Sequence, residues 1–492
     1  MPASTLKEKA ANGLLWGGLS NGAQQLLNLV FGIFLARLLT PADYGMVGML
    51  TIFALIATTL QESGFISALN RRETVTQADY NAVFWFNVLC SVSVYAILFL
   101  CAPLIAAWFR QPALTPLGRF FFLSFVISSL ATTPRAWLFR NMRVKETAVI
   151  TLVALVCSGV TGVSLAWCGF AYWGIAVQNL TYCAVITLGS WRAARWRPSR
   201  HIDLRPLRGM IGFSSRLLAT NIFTHINNNL FSIFFGRLYG ERMVGYYNQA
   251  NKWTGMGYNT LTGMVWSVTQ PLFARLSYDE PERLRGAFRK MLRFTAFLSC
   301  PALFGLALIA PEFITIAITA KWLPSARLMQ LLCAGGAFMP IASLYANFVI
   351  SLGRSDLFMR KTILLCLVQL ALLAALHTLG VRAMVVGYVT ANTLWLFVWH
   401  APVRRLTGLP LRHALADVLP FAGLAALAVA AGWGAALPCG DSVWLRLVVK
   451  MVVTAAAYFL LLRLFGAKIL GECLGFLRAK LPGSGKKARA GR

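Results

Sequence analysis

Apolar stretches of about 20 residues, the length that crosses a bilayer core as a helix, recur along the whole chain with only short polar breaks between them. They predict spans near 13–36, 44–67, 82–107, 117–134, 147–167, 170–190, 210–235, 243–270, 294–318, 325–351, 362–379, 383–400, 414–436 and 443–462. The pattern is that of an all-α polytopic membrane protein with about 14 transmembrane helices. The first stretch is interrupted by Asn21, Gln24, Gln25 and Asn28 and has no small-residue cleavage site after it, so it reads as the first span rather than a removable signal.

A repeat organises these spans. Residues 16–45 align with 216–245 at a constant offset of 200: Asn21 meets Asn221, Asn28 meets Asn228, Phe31 meets Phe231, Arg37 meets Arg237 and Gly45 meets Gly245. Six spans separate the copies, an even number, so both run the same way through the membrane. The expectation is two pseudo-symmetric six-helix lobes related by an axis along the membrane normal, as in two-lobed transporters. The lobes would be residues 1–190 (spans one to six) and 210–400 (spans seven to twelve), joined by a basic cytoplasmic linker at 191–209. Spans 13 and 14 (401–465) and a basic cytoplasmic tail (466–492) would complete the chain. The Gly353–Lys361 loop weakly echoes the Phe139–Lys145 loop at the matching place.

Composition sharpens the class. With 58% hydrophobic and 13% charged residues, the chain lacks the polar surface of a soluble protein. Its net charge of +30 could suggest nucleic acid, but the Lys and Arg are dispersed over loops rather than gathered with stacking aromatics on a face. They concentrate on both tails and the even-numbered loops, which by the positive-inside tendency places both termini in the cytoplasm. The 10 cysteines include no C-x-x-C pair and read as small core residues. The segment from Asp279 to Arg293, acidic at its start and basic at its end, reads as a cytoplasmic surface helix. Its apolar face of Leu284, Phe288, Met291 and Leu292 would lie against lipid headgroups.

The chemistry lies in polar residues inside spans. Asn21, Gln24, Gln25 and Asn28 recur at steps of three and four and form one stripe on the first helix; Asn221, His225 and Asn228 do the same on the seventh. An amide facing lipid lacks partners, so each stripe serves either as glue between helices or as the wall of a wet cavity. Matching stripes on the first helix of each lobe favour the cavity. Arg216 near the inner end of span seven either snorkels to the surface or meets an anionic group, which its planar fork suits. Lys252 is either a second cation for that charge or an interfacial anchor. Of the carboxylates within or at the ends of spans, Glu62, Glu312 and Asp417, only Glu62 is a candidate for ion coupling. That scarcity of buried acids favours an anionic cargo over a cationic drug. No catalytic residue, metal or cofactor is called for.

The run Ala36-Arg37-Leu38-Leu39-Thr40-Pro41-Ala42-Asp43-Tyr44-Gly45 resembles the first outward loop of Wzx-type bacterial polysaccharide flippases, in the multidrug/oligosaccharidyl-lipid/polysaccharide exporter superfamily. Further matches follow in order. They are Gly64-Phe65, Ala68-Leu69, Thr76, Asp79-Tyr80-Asn81, Phe84-Trp85-Phe86-Asn87, Val244 to Ala250, Pro271 to Leu276, and Lys321-Trp322-Leu323-Pro324. The set covers roughly residues 5–410 and looks most like colanic-acid-type exporters. The resemblance implies a central cavity, alternating access, and a cargo of polyprenyl-diphosphate-linked oligosaccharide repeat units, with membrane lipids, a polysaccharide polymerase and export machinery as partners. Where related flippases carry arginines, the first span here carries amides, which shifts charge recognition toward Arg216. A cation-coupled multidrug-type antiporter of the same superfamily is the alternative, and an integral-membrane polymerase would need longer outward loops than these.

Overall fold

The computed structural model describes residues 3–62, 75–199, 203, 211–275, 281–466, 469 and 471. Among them no strand occurs, and the helices follow the predicted order: α1 (Ala3–Leu38), α2 (Pro41–Glu62), α3 (Gln77–Phe109), α4 (Leu114–Arg140), α5 (Val144–Trp167), α6 (Tyr172–Ala193), α7 (Ile211–Tyr239) and α8 (Glu241–Arg275). Then come α9 (Pro281–Ile318), α10 (Leu323–Gly336), α11 (Met339–Ser351), α12 (Ser355–Leu376), α13 (Val381–Thr407), α14 (Leu411–Ala435) and α15 (Val443–Leu464). Nine helices among the described residues are long and apolar enough to cross a membrane, or ten with α10 and α11 taken as one. The chain is a multi-pass membrane protein. Residues 64–69 and the basic tail from Lys486 lie outside the described residues.

The predicted tenth span, 325–351, is two helices bent by 41°. Gly335 and Gly336 weaken the helix at that point, and Pro340 in the first turn of α11 is suited to starting a new one. The surface helix expected at 279–293 is also revised. From Pro281 it runs unbroken into the ninth span, and Leu284, Phe288 and Leu292 are buried in a protein core rather than laid on headgroups.

Two compact units are distinguished by their internal packing, Met1–Asn248 and Gln249–Arg492. In the first, α3 opens with a capping box in which Thr76 and Asp79 bond each other reciprocally. The neighbouring Asn81 accepts from the Ser199 backbone N–H at 2.9 Å, and Trp85 Nε1 donates to the Ser199 carbonyl at 2.9 Å. Trp196, 3% exposed, inserts beside Tyr80 and Phe84. The segment after α6, residues 194–199, is thereby docked on α3. In the second unit the core gathers Phe273 of α8, Phe288 of α9, Tyr345 and Phe348 of α11, Trp399 of α13, Phe421 of α14 and Tyr458 of α15.

Candidate functional site

Helix α1 presents two opposed open faces. At about 100° per residue, Asn21, Gln24, Gln25 and Asn28 share an arc of about 100°, and Leu26, Val30 and Phe34 centre about 170° away. Asn21, Gln25 and Asn28 are exposed, and Gln24 is half-buried with its amide donating to Ser20 Oγ at 2.8 Å. Leu26, Val30 and Phe34 are exposed at 64%, 44% and 53%. One helix cannot serve lipid with both sides. The apolar side suits hydrocarbon, and the amide side needs water or a polar partner because a bare amide in hydrocarbon costs roughly several kcal/mol. Another face of α1 packs on α5, where Phe31 lies where any Cβ on Gly159 would collide with its ring.

Helix α7 repeats the polar face but not the open apolar one, since Leu230 on its opposite side is buried. His225 is half-buried and Asn228 exposed, while the Asn229 amide turns back to the His225 carbonyl at 2.9 Å. Both polar faces close toward the C-terminal ends of their helices. On α1 the same face continues as buried Gly32 and Ala36; on α7 it continues as Ser232, whose hydroxyl donates to Asn248 Oδ1 at 3.1 Å, and buried Phe235. Phe231, Phe235 and Tyr247 pack in tilted and edge-on contacts with ring centroids 4.8 to 5.6 Å apart. The side chains of Glu62, Arg216 and Asn221 lie outside the described residues.

The closed end is built from the two copies of the repeat. Helix α2 starts at Pro41 and α8 at Glu241, 200 residues on. Thr40 and Asp43 cap the first turn, with the Thr40 N–H on Asp43 Oδ2 at 2.8 Å. In the second copy Gly240, at φ +80, makes the turn, and Glu241 instead accepts from Gln111 Nε2 at 2.7 Å. Arg237, the counterpart of Arg37, donates to the Trp108 carbonyl at 2.5 Å and lies over the Trp108 ring.

In the second unit, Lys252 is half-buried with its ammonium 5.6 Å from the Trp253 ring centroid, a cation–π contact. Two ion pairs there were not foreseen from the sequence. Arg289 of α9 grips Asp417 of α14 with two bonds, 2.6 and 2.9 Å, and Arg293 stands 3.5 Å from the same carboxylate. Lys450 of α15 donates to Glu312 Oε1 of α9 at 2.6 Å. A lysine or a carboxylate within a span was the available signal, but nothing local says which helix holds the partner. A polar ladder joins α8 to α11: Trp266 to Ser343 at 2.6 Å and Asn347 to Thr269 at 2.7 Å. Among the described residues no three His, Cys, Asp or Glu side chains gather as a metal site would require.

Open amides and dispersed cations can bind hydroxyl-rich and anionic groups, and need no bond chemistry to do so. The sequence profile described as "Polysaccharide biosynthesis protein" matches residues 34–327. The lipopolysaccharide biosynthesis protein WzxC of Escherichia coli is 25% identical over 359 residues, 72% of this chain and 72% of its own length. The teichuronic acid biosynthesis protein TuaB of Bacillus subtilis is 23% identical over 392 residues, 77% of this chain and 78% of its own. Among solved structures, the lipid II flippase MurJ in an inward closed conformation superposes with a TM-score of 0.75 at 12% identity, covering 93% of this chain and all of that one. An inward-facing multidrug transporter of the MATE family gives 0.62 at 18% identity over 78% of this chain and 95% of its own. The fold is therefore the one these transporters share.

Proposed function

Because the chain belongs to the polysaccharide biosynthesis protein family, we propose that it is a flippase that carries a polyprenyl-diphosphate-linked oligosaccharide repeat unit from the cytoplasmic to the outer leaflet. The observation that carries this reading is the back-to-back character of α1, with an open amide face on one side and an open apolar face on the other. A sugar headgroup crossing bare hydrocarbon would leave each hydroxyl unbonded, at roughly several kcal/mol apiece. An amide stripe replaces those bonds while the prenyl tail stays in lipid.

In this proposal residues 1–190 and 210–400 are lobes that alternate access to the site, and 191–209 joins them on the cytoplasmic side. Asn21, Gln24, Gln25, Asn28, Asn221, His225 and Asn228 supply hydrogen bonds, and Arg216 and Lys252 supply positive charge for the diphosphate. Both polar faces close where α1 meets α2 and α7 meets α8. With both termini cytoplasmic, those closed ends lie outward, so this arrangement receives cargo from within. No covalent step is required, and a polymerase and export machinery in the inner membrane would take the delivered unit.

The test is transport of a lipid-diphosphate-linked oligosaccharide in vesicles, comparing the native protein with Arg216→Ala and Asn221→Ala at matched abundance. Headgroup translocation that falls in both variants supports the assignment. A native protein that leaves this lipid in place and extrudes cationic dyes instead would establish the antiporter reading.

A further inference from the structure

Glu312 and Lys450 are opposite charges enclosed by helices, and the pair is incompletely satisfied. Lys450 is 8% exposed and Glu312 likewise 8%. The ammonium is held by Glu312 Oε1 at 2.6 Å and by the Leu308 carbonyl at 3.3 Å. Pro311, one residue before Glu312, has no N–H to give the carbonyl four residues back, which loosens α9 at this turn. Glu312 Oε2 is buried with no hydrogen-bond partner, and so is the Thr454 hydroxyl one turn from Lys450. Helix α14 closes the site from behind, since any Cβ on Gly432 would collide with Thr454 Oγ1.

On the other side lies a cavity of about 460 Å³, walled by Phe297, Leu306, Ile309, Met451, Phe459 and others, with Lys450 and Thr454 in its lining. A purely architectural pair would be expected to have both carboxylate oxygens bonded and no adjoining space. Ionisable groups inside membrane helices mark ion and proton pathways more often than they stabilise.

We propose that Glu312 and Lys450 form a proton-binding site. Glu312 takes up one proton on its unpartnered Oε2, the carboxylate becomes a neutral acid, and the ammonium keeps its charge and its bond to the Leu308 carbonyl. The pair passes from net neutral to net +1 and back, which makes the packing of α9 against α15 responsive to proton supply. Other charged groups on the elements around it stand elsewhere. Lys321 and Arg327, at the start of α10, are exposed; Arg412, His413 and Asp417 lie at the far end of α14, with Asp417 held by Arg289. On α13, His400 is bonded to Tyr345 and the Leu409 carbonyl, and Arg404 and Arg405 are exposed. On α8, Lys252 lies over Trp253. Among the described residues, Lys450 is the cation that reaches this carboxylate.

The site does not depend on the identity of the cargo, and its first test uses none. The full chain in lipid nanodiscs is taken from neutral to acidic pH while infrared difference spectra follow the carboxylic-acid C=O band. The expected result is a band in the native protein that is lost in Glu312→Gln. It is lost also in the paired variant Glu312→Gln/Lys450→Met, which leaves no buried charge and so guards against misfolding. A band of undiminished size in both variants, or no band in the native protein, overturns the proposal. In vesicles that do transport lipid-linked oligosaccharide, the paired variant should lose stimulation by an imposed proton gradient. Vesicles in which the native protein moves no such lipid would count against the flippase reading alone, leaving the infrared result to stand by itself.

Discussion

Gly45 and Gly245, 200 residues apart in the repeat, make the same contact with each other's helix: a Cβ on Gly45 would collide with the Glu241 carbonyl, and a Cβ on Gly245 would collide with the Pro41 carbonyl. Pro41 and Glu241 are themselves repeat partners and are the first residues of α2 and α8. The contact is therefore reciprocal, as in an isologous interface folded into one chain. Gly48 extends it, with the Asn248 side chain where its Cβ would be. Small residues let membrane helices approach to backbone contact.

Gly45→Ala and Gly245→Ala should each destabilise the protein by about 1–3 kcal/mol through overpacking against rigid backbone. Because both act on one seam, the double variant should cost less than the sum. Gly263→Ala, in α8 with nothing within 4 Å of its Cβ, is the control and should be neutral or stabilising. Thermal unfolding in detergent checks all four proteins, and an additive double variant would mean that the two contacts are independent.

Asn21→Leu with Asn28→Leu should leave folding intact, since both side chains are exposed and neither fills a core. Transport of the lipid-linked oligosaccharide should fall by about tenfold or more, from two lost hydrogen bonds of about 1 kcal/mol each. Leu26→Asn on the opposite face should instead impair membrane insertion. Abundance and transport measured together separate the two outcomes.

Arg289→Met should destabilise the second unit by roughly 2 kcal/mol, less than a fully buried pair would lose, because Arg289 is 30% exposed and Arg293 remains near Asp417. Removing both arginines should cost more than the two single losses added, since only then does Asp417, 5% exposed, stand uncompensated. Denaturant unfolding of the three variants gives the coupling.

Trp196→Ala should free the segment 194–199 from α3 by deleting a ring buried against Tyr80 and Phe84, at about 3 kcal/mol of local packing. Trypsin should then cut faster at Arg195 and Arg197, as read by intact-mass analysis, while the helices remain folded. Unchanged cleavage would show that Asn81 and Trp85 hold the segment without it.

The order of the helices, the amide stripe of α1 and the offset of 200 were legible in the residues themselves, because helix periodicity and span length are local properties of adjacent side chains. The pattern placed the spans of α2 and α8 from about 44 and 243, a few residues inside their starts at Pro41 and Glu241. Tertiary structure decided the rest. Lys450 and Glu312 are 138 residues apart and Arg289 and Asp417 are 128 apart, and no periodicity tells a buried charge which distant helix will answer it. The same limit explains the segment 281–293, whose amphipathic face fits lipid headgroups as well as a protein core until α11 and α14 are seen to cover it. Sequence fixes which groups must be satisfied, and packing alone determines by which partner.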